Sequence, residues 1–110
     1  MLLDSGASVG ATTRSGCSAL FVACEKGHLE CAQLLLEAHA AVDQAKDTGA
    51  TPLYIACQQG HLECAKLLLG ANAAANQANV NGFTPLYVAC EKGHLDVARL
   101  LLETGAAKDQ

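Results

Sequence analysis

The 110-residue sequence is poor in aromatic residues, which make up 4% of it, and it contains no tryptophan. Proteins that hold single-stranded nucleic acid stack successive bases on aromatic rings, so the composition argues against such a platform and against a sugar-binding cleft. The net charge is −4, which leaves no surplus of Lys and Arg to neutralise a phosphate backbone. The sequence therefore predicts no nucleic-acid partner.

Long apolar runs are also missing. No stretch approaches the roughly 18 apolar residues that a membrane span requires, so no membrane partner is expected. The first residues, "MLLDSGAS", lack the basic start and apolar stretch of a secretory signal. Six cysteines without such a signal indicate reduced thiols and a cytoplasmic or nuclear location.

What the sequence does have is a repeat. Hydrophobic residues form 51% of the chain, mostly Ala, Leu and Val, which suit closely packed helices. Three segments headed by Gly16, Gly49 and Gly82 recur every 33 residues and contain "ALFVACEKGHLECAQLLL", "PLYIACQQGHLECAKLLL" and "PLYVACEKGHLDVARLLL". A fixed period of this length predicts stacked units that cannot bury their apolar faces alone.

Each unit reads as two helices. Thr51 before Pro52 predicts a hydroxyl N-cap followed by proline at the first helical position. The same positions are Ser18 and Ala19 in the first unit and Thr84 and Pro85 in the third. Glycines suited to ending the first helix in a left-handed conformation are Gly27, Gly60 and Gly93. Acidic residues near the start of the second helix, where they complement its dipole, are Glu30, Glu63 and Asp96.

The position of His39, at the end of the second helix of the first repeat, explains why a histidine occurs there. The 33-residue shift makes four positions equivalent, namely Gly6, His39, Asn72 and Gly105. Glycine and asparagine favour positive φ, and histidine is enriched there among other residues. We therefore expect His39 to serve backbone geometry and not a ligand.

The stretches "GATPLYIACQQGHLECAKLLL" and "GFTPLYVACEKGHLDVARLLL" resemble the ankyrin repeat family, with its Gly-x-Thr-Pro-Leu-His-x-Ala pattern, Gly-His turn and leucine-rich second helix. The resemblance covers nearly the whole chain and implies an all-α solenoid of helix-turn-helix units joined by β-turn loops. One departure is that Phe21, Tyr54 and Tyr87 replace the family's histidine. Aromatic packing, or in part the tyrosine hydroxyls, must then replace its hydrogen bonds between repeats.

The repeat predicts four segments. Residues 1–15 match the end of a preceding repeat and its loop, and the three repeats follow as 16–48, 49–81 and 82–110, the last incomplete. Solenoids usually end in polar capping repeats, and neither end of this chain resembles one. We therefore expect the chain to be part of a longer array, or its end faces, around Leu2, Leu3, Leu101 and Leu102, to be covered by another copy.

The stretch "CEKGHLEC" and its second copy "CQQGHLEC" offer a metal-site interpretation. Their candidate ligands are Cys24, His28 and Cys31, then Cys57, His61 and Cys64. The third copy has Val97 at the last position, and no repeat supplies an obvious fourth ligand, which a closed zinc site needs. The prediction is therefore no metal and no cofactor, with the cysteines as small core residues and the histidines belonging to the Gly-His turn that the resemblance implies.

A catalytic interpretation pairs Cys57 as nucleophile with His61 as base. Nothing in the sequence suggests the cleft or oxyanion stabiliser that such a pair needs, so the protein is predicted not to be an enzyme. Cys24, Cys57 and Cys90 recur where ankyrin repeats carry a buried alanine, which predicts inert thiols. Cys17, at a loop tip, is predicted to be exposed.

The resemblance also implies where a partner would bind: on a concave surface of loop tips and the exposed side of each first helix. The positions it selects are Arg14, Ser15, Cys17, Glu25, Lys26, Asp47, Thr48, Ala50, Gln58, Gln59, Val80, Asn81, Phe83, Glu91 and Lys92. The tip sequences differ between the copies. Such variation is expected if the tips determine binding specificity, and equally if exposed loops vary without selection. Phe83, beside Val80, is predicted to anchor an interface, the alternative being packing against the neighbouring tip.

These observations predict a non-catalytic scaffold that binds a protein or peptide partner. The rival hypotheses are a structural spacer within a longer array and a zinc or redox site at the Cys-His stretches. Self-association through the end faces is a further possibility. The charge pairs Glu63–Lys66 and Asp96–Arg99 are predicted to form a solvated outer face.

Overall fold

The computed structural model describes residues 12–104, which form six α-helices. They are α1 (Ala19–Lys26), α2 (Leu29–Glu37), α3 (Pro52–Gln59), α4 (Leu62–Gly70), α5 (Pro85–Glu91) and α6 (Leu95–Glu103). The first helices of the three units, α1, α3 and α5, contact one another in one row, and α2, α4 and α6 form a second row behind them. No β-strand occurs in this part of the chain. The predicted all-α stack of helix pairs is confirmed.

The first helices begin where the cap residues predict. The hydroxyl of Thr51 accepts a hydrogen bond from the backbone N–H of Tyr54 at 3.1 Å, and Pro52 follows it at the start of α3. The same bond joins the N–H of Phe21 to Ser18 and that of Tyr87 to Thr84. Each cap satisfies one of the amide groups that the first helical turn leaves without a partner.

Left-handed residues end the helices and turn the chain. Gly27, Gly60 and Gly93 each have φ of 76°, as predicted for the turn between the two helices of a pair. His39 and Asn72, just past α2 and α4, both have φ of 68°, so the backbone explanation of His39 is confirmed. Gly6 and Gly105 lie outside the described residues.

The core fills the space between the two rows of helices. Its largest fully buried aliphatic side chains are Leu20, Leu53, Leu68, Leu101, Val88 and Val97. The prediction that placed Leu101 on an uncovered end face is therefore wrong, because its side chain points between the rows. Leu102, one position on, is 41% exposed, and Leu2 and Leu3 lie outside the described residues.

Candidate protein-binding surface

The loop tips lie side by side because their backbones are hydrogen-bonded to one another. The N–H of Asp47 donates to the carbonyl of Ser15 at 2.7 Å, and the N–H of Val80 donates to that of Thr48 at 2.9 Å. Each tip is also closed on itself, for example by the N–H of Lys46, which donates to the Ala50 carbonyl at 3.0 Å. Residues 14–17, 47–50 and 80–83 thus form one continuous row, which we call the tip row.

A second row runs along the ends of the first helices. Nε2 of His61 donates to the carbonyl of Glu25 at 3.1 Å, and Nε2 of His94 donates to that of Gln58 at 3.0 Å. His61 and His94 therefore each hold the end of the preceding repeat's first helix. The ends of the three first helices lie side by side along the stack. We call their residues, 25–26, 58–59 and 91–92, the helix-end row.

The side chain of Asn79 fixes the backbone of the third tip. Sequence reasoning did not identify this residue. Oδ1 of Asn79 accepts hydrogen bonds from the backbone N–H groups of Asn81 and Phe83, both at 3.0 Å. Its Nδ2 donates to the hydroxyl of Tyr54 at 3.2 Å. The side chain thus fixes its own loop and ties that loop to the helix of the preceding repeat.

A different pair occupies the equivalent place one repeat earlier. Nζ of Lys46 lies 5.8 Å from the ring centroid of Phe21, in the range of a cation–π contact. Position 21 is equivalent to 54, and position 46 is equivalent to 79. The first repeat therefore pairs Phe21 with Lys46, and the second pairs Tyr54 with Asn79. This paired exchange between the copies is the signal that would have found Asn79. It also confirms that aromatic contacts and a tyrosine hydroxyl link the repeats here.

The structure brings the predicted contact residues into the two rows but does not expose all of them. The exposed ones are Arg14, Lys26, Asp47, Thr48, Gln59, Val80, Asn81, Phe83, Glu91 and Lys92, and the half-buried ones are Ser15, Cys17, Glu25 and Gln58. Ala50 is only 6% exposed. It belongs to the core cluster and offers almost no surface to a partner.

The outer face carries one of the two predicted ion pairs. Nζ of Lys66 lies 3.6 Å from a carboxylate oxygen of Glu63, and both side chains are more than half exposed. Asp96 instead accepts a hydrogen bond from the N–H of Val97 at 2.8 Å. Its carboxylate therefore serves the start of α6, and no ion pair with Arg99 forms.

Buried cysteines lie between the repeats. Cys24 of α1 and Cys57 of α3 are fully buried, and Cys64 of α4 is 2% exposed. Cys24 and Cys64, which belong to neighbouring repeats, lie close enough for their thiols to interact. Burial raises the pKa of Cys24 and of Cys57 to about 12, and a thiol that stays protonated is a poor nucleophile and a poor metal ligand.

Two cysteines depart from the predicted burial. Cys31 and Cys90 are exposed, although the sequence suggested core positions for both. Cys64, the equivalent of Cys31, is covered by the repeat before it, and Cys57, the equivalent of Cys90, is covered by the repeat after it. Cys31 faces away from α4 and Cys90 faces away from α3, so the described helices leave both open. Cys17 is half-buried, less exposed than predicted.

The candidate metal ligands do not converge. Within residues 12–104, no group of three His, Cys, Asp or Glu side chains is placed to hold an ion. Three of the candidate ligands have structural contacts instead, since His61 bonds to the carbonyl of Glu25 and Cys24 lies beside Cys64. The Cys-His stretches instead form the contact between neighbouring repeats.

The family comparison agrees with this geometry. A sequence model of ankyrin repeats matches residues 1–79 and 42–110, with three copies. The chain belongs to the ankyrin repeat family. Ankyrin repeats in general mediate protein–protein interaction and are non-catalytic. No curated protein matched the sequence. In the described part of this ankyrin chain, none of the helices is long and apolar enough to cross a bilayer.

Proposed function

We propose that this ankyrin chain is a non-catalytic scaffold, cytoplasmic or nuclear, that holds a protein or peptide partner against the tip row and the helix-end row. The hydrogen bonds between tips carry the proposal. Because Asp47 and Val80 are bonded to the preceding tips through their backbones, the surface is preformed, and binding to it costs little ordering of the scaffold.

The charge pattern of the two rows suits a partner of mixed polarity. Exposed cations and anions alternate along them, with Arg14 and Asp47 on the tips and Glu91 beside Lys92 at the third helix end. Neither sign dominates, so specificity would come from individual pairs and hydrogen bonds. The middle of the helix-end row, Gln58 and Gln59, offers neutral amides.

Phe83 is the proposed anchor. Its ring stacks on that of Tyr87 in its own repeat, with centroids 4.7 Å apart and planes 8° from parallel. It remains 36% exposed, and Val80 beside it is 69% exposed. Aromatic side chains held rigid in this way contribute strongly to interfaces. The stack on Tyr87, a residue of α5, supports this role for Phe83.

Affinity capture from cell extract, read by mass spectrometry, tests the proposal. The native chain is compared with a variant whose exposed tip residues are all alanine. The control is altered at Glu63 and Lys66, an exposed pair on α4 in the second row of helices. We expect the tip variant to lose specific partners and the control to keep them. An identical catch from the native chain and the tip variant would mean that the surface is not the binding site.

The single change Phe83→Ala should weaken capture of the same partners severalfold while the melting temperature stays nearly unchanged. The reason is that Phe83 lies partly exposed at the surface, where its ring stacks on Tyr87. A large loss of thermal stability without loss of capture would reassign Phe83 to packing.

A second candidate, a structural spacer within a longer row of repeats, is favoured by one observation. Tyr87 and Leu95 are 50% and 68% exposed on the outer side of the third repeat, at positions that the next repeat covers elsewhere in the stack. A spacer would capture nothing through its tips. The capture experiment therefore separates the two functions.

A further inference from the structure

The far side of the third repeat exposes the residues that the first two repeats bury against their successors. Tyr87 is 50% exposed, whereas its equivalents Phe21 and Tyr54 are 2% and 6% exposed. Cys90 is exposed, whereas Cys24 and Cys57 are fully buried. Leu95 and Leu102 complete this surface, which we call the α5–α6 face.

The opposite end of the stack, on the side of the first repeat away from α3 and α4, exposes the residues that later repeats bury against their predecessors. Val22 is 38% exposed, whereas its equivalents Ile55 and Val88 are 6% and 1% exposed against the preceding repeat. Cys31 is exposed where Cys64 is buried. With Leu34, which is 42% exposed, these residues form the α1–α2 face.

Hydrogen-bonding groups on the two faces are complementary. Inside the stack, a turn histidine donates to the carbonyl at position 25 or 58 of the preceding repeat. The equivalent carbonyl of Glu91 has no such donor among the described residues, and the equivalent imidazole of His28 has no acceptor there. The α5–α6 face therefore offers the acceptor, and the α1–α2 face offers the donor.

We propose that a second copy of this chain docks head to tail on the α5–α6 face through its α1–α2 face, in the register that joins neighbouring repeats within one copy. His28 of the added copy then donates to the Glu91 carbonyl, and its Cys31 lies against Cys90 as Cys64 lies against Cys24. Pairing two like faces is disfavoured, since it would set acceptor against acceptor or donor against donor.

The arrangement is heterologous, so the assembly does not close on itself. Each added copy presents a new α5–α6 face, and the mean size therefore rises with concentration. The docking contacts lie outside the tip row and meet the helix-end row only at the backbone carbonyl of Glu91. The two substitutions that test docking, at Leu95 and Val22, lie outside both rows, so failure of docking is distinguishable from failure of the proposed function.

Sedimentation velocity over a concentration series tests the proposal with two blocking variants. Leu95→Glu places a charge on the α5–α6 face, and Val22→Glu places one on the α1–α2 face. Both positions are exposed, so the variants should fold, which circular dichroism checks. Gln59→Glu adds the same charge in the helix-end row and is the matched control.

We expect the native chain and the control to grow from monomer to dimer and longer species, and each blocked variant to stay monomeric. An equimolar mixture of the two blocked variants should form a one-to-one dimer and nothing larger, because one intact face of each kind remains. A native chain that is monomeric throughout would overturn the proposal. Dimers of the Val22→Glu variant alone would show like-face pairing and would overturn it as well.

Oxidative cross-linking supplies a second readout. Diamide takes up the two electrons and two protons that two thiols lose when they join as a disulfide. We expect peptide mapping to find Cys31 of one copy linked to Cys90 of another as the main product, absent from both blocked variants and restored in their mixture. Predominant Cys90–Cys90 or Cys31–Cys31 links would contradict head-to-tail docking.

Discussion

At the scale of single residues, the contact between repeats depends on an imidazole ring packed over a glycine. A Cβ atom on Gly60 would lie 2.7 Å from ring atoms of His94, the residue that donates to the Gln58 carbonyl. Gly93 has the same φ of 76° but nothing within 4 Å of an added Cβ. The two glycines have the same left-handed backbone conformation, but only Gly60 has a histidine ring packed against it.

We therefore predict that Gly60→Ala destabilises the protein more than Gly93→Ala. Both variants pay for a left-handed alanine, on the order of 1 kcal/mol, and only Gly60→Ala also displaces His94 and breaks its hydrogen bond, worth roughly another 1 kcal/mol or more. Urea unfolding of the two variants measures the difference. Equal losses would mean that the histidine contact contributes nothing.

The buried thiols predict a dependence of stability on pH. Folding raises the pKa of Cys57 from 9.0 to about 12, so the folded state holds the proton more tightly than the unfolded state does. This contribution is fully present below pH 9 and is lost as the pH rises toward 12, by about 1.4 kcal/mol per pH unit for each such thiol.

Cys57→Ala should therefore flatten the fall in the free energy of unfolding between pH 9 and the highest pH at which the chain still folds. Cys90→Ala, at the exposed equivalent position, is the control and should leave the slope unchanged. The same slope in both variants would contradict the assignment of Cys57 to the dry interior.

At the scale of helices and loops, a side-chain hydrogen bond couples the third tip to α3, in addition to the backbone bond between Val80 and Thr48. Tyr54→Phe removes the hydroxyl that accepts from Asn79 and should lower the free energy of unfolding by about 1 kcal/mol. Tyr87→Phe is the matched control, because its hydroxyl has no partner among residues 12–104, and it should be nearly neutral. Thermal melts of the two variants would contradict the coupling if Tyr87→Phe were the more costly.

The elements themselves could be predicted from the sequence because their signals are local. A hydroxyl at Thr51 followed by Pro52 specifies a helix start, and Gly60 specifies its end, without reference to anything distant in the chain. The link between Tyr54 and Asn79 could not be predicted in this way. It joins residues of different repeats, and only a comparison of aligned copies would have revealed it.

At the scale of the whole molecule, burial depends on what lies beside each repeat. Cys57 and Cys90 have similar sequence surroundings, PLYIACQQGHL and PLYVACEKGHL, and the same place in their helices, yet one is fully buried and the other exposed. No local pattern distinguishes them, because the difference is the presence of another helix pair. The same holds for Ala50, which was predicted to contact a partner but is only 6% exposed in the stack.

The central claim, that the Cys-His stretches build the contact between repeats, is tested most directly by thiol alkylation of the dilute native protein, resolved by residue with mass spectrometry. The structure predicts that Cys31 and Cys90 are alkylated rapidly, while Cys24, Cys57 and Cys64 react only as fast as the protein unfolds. If Cys24 and Cys57 were alkylated in the folded protein as fast as Cys31 and Cys90, the repeats would not pack through these residues and the account would be wrong.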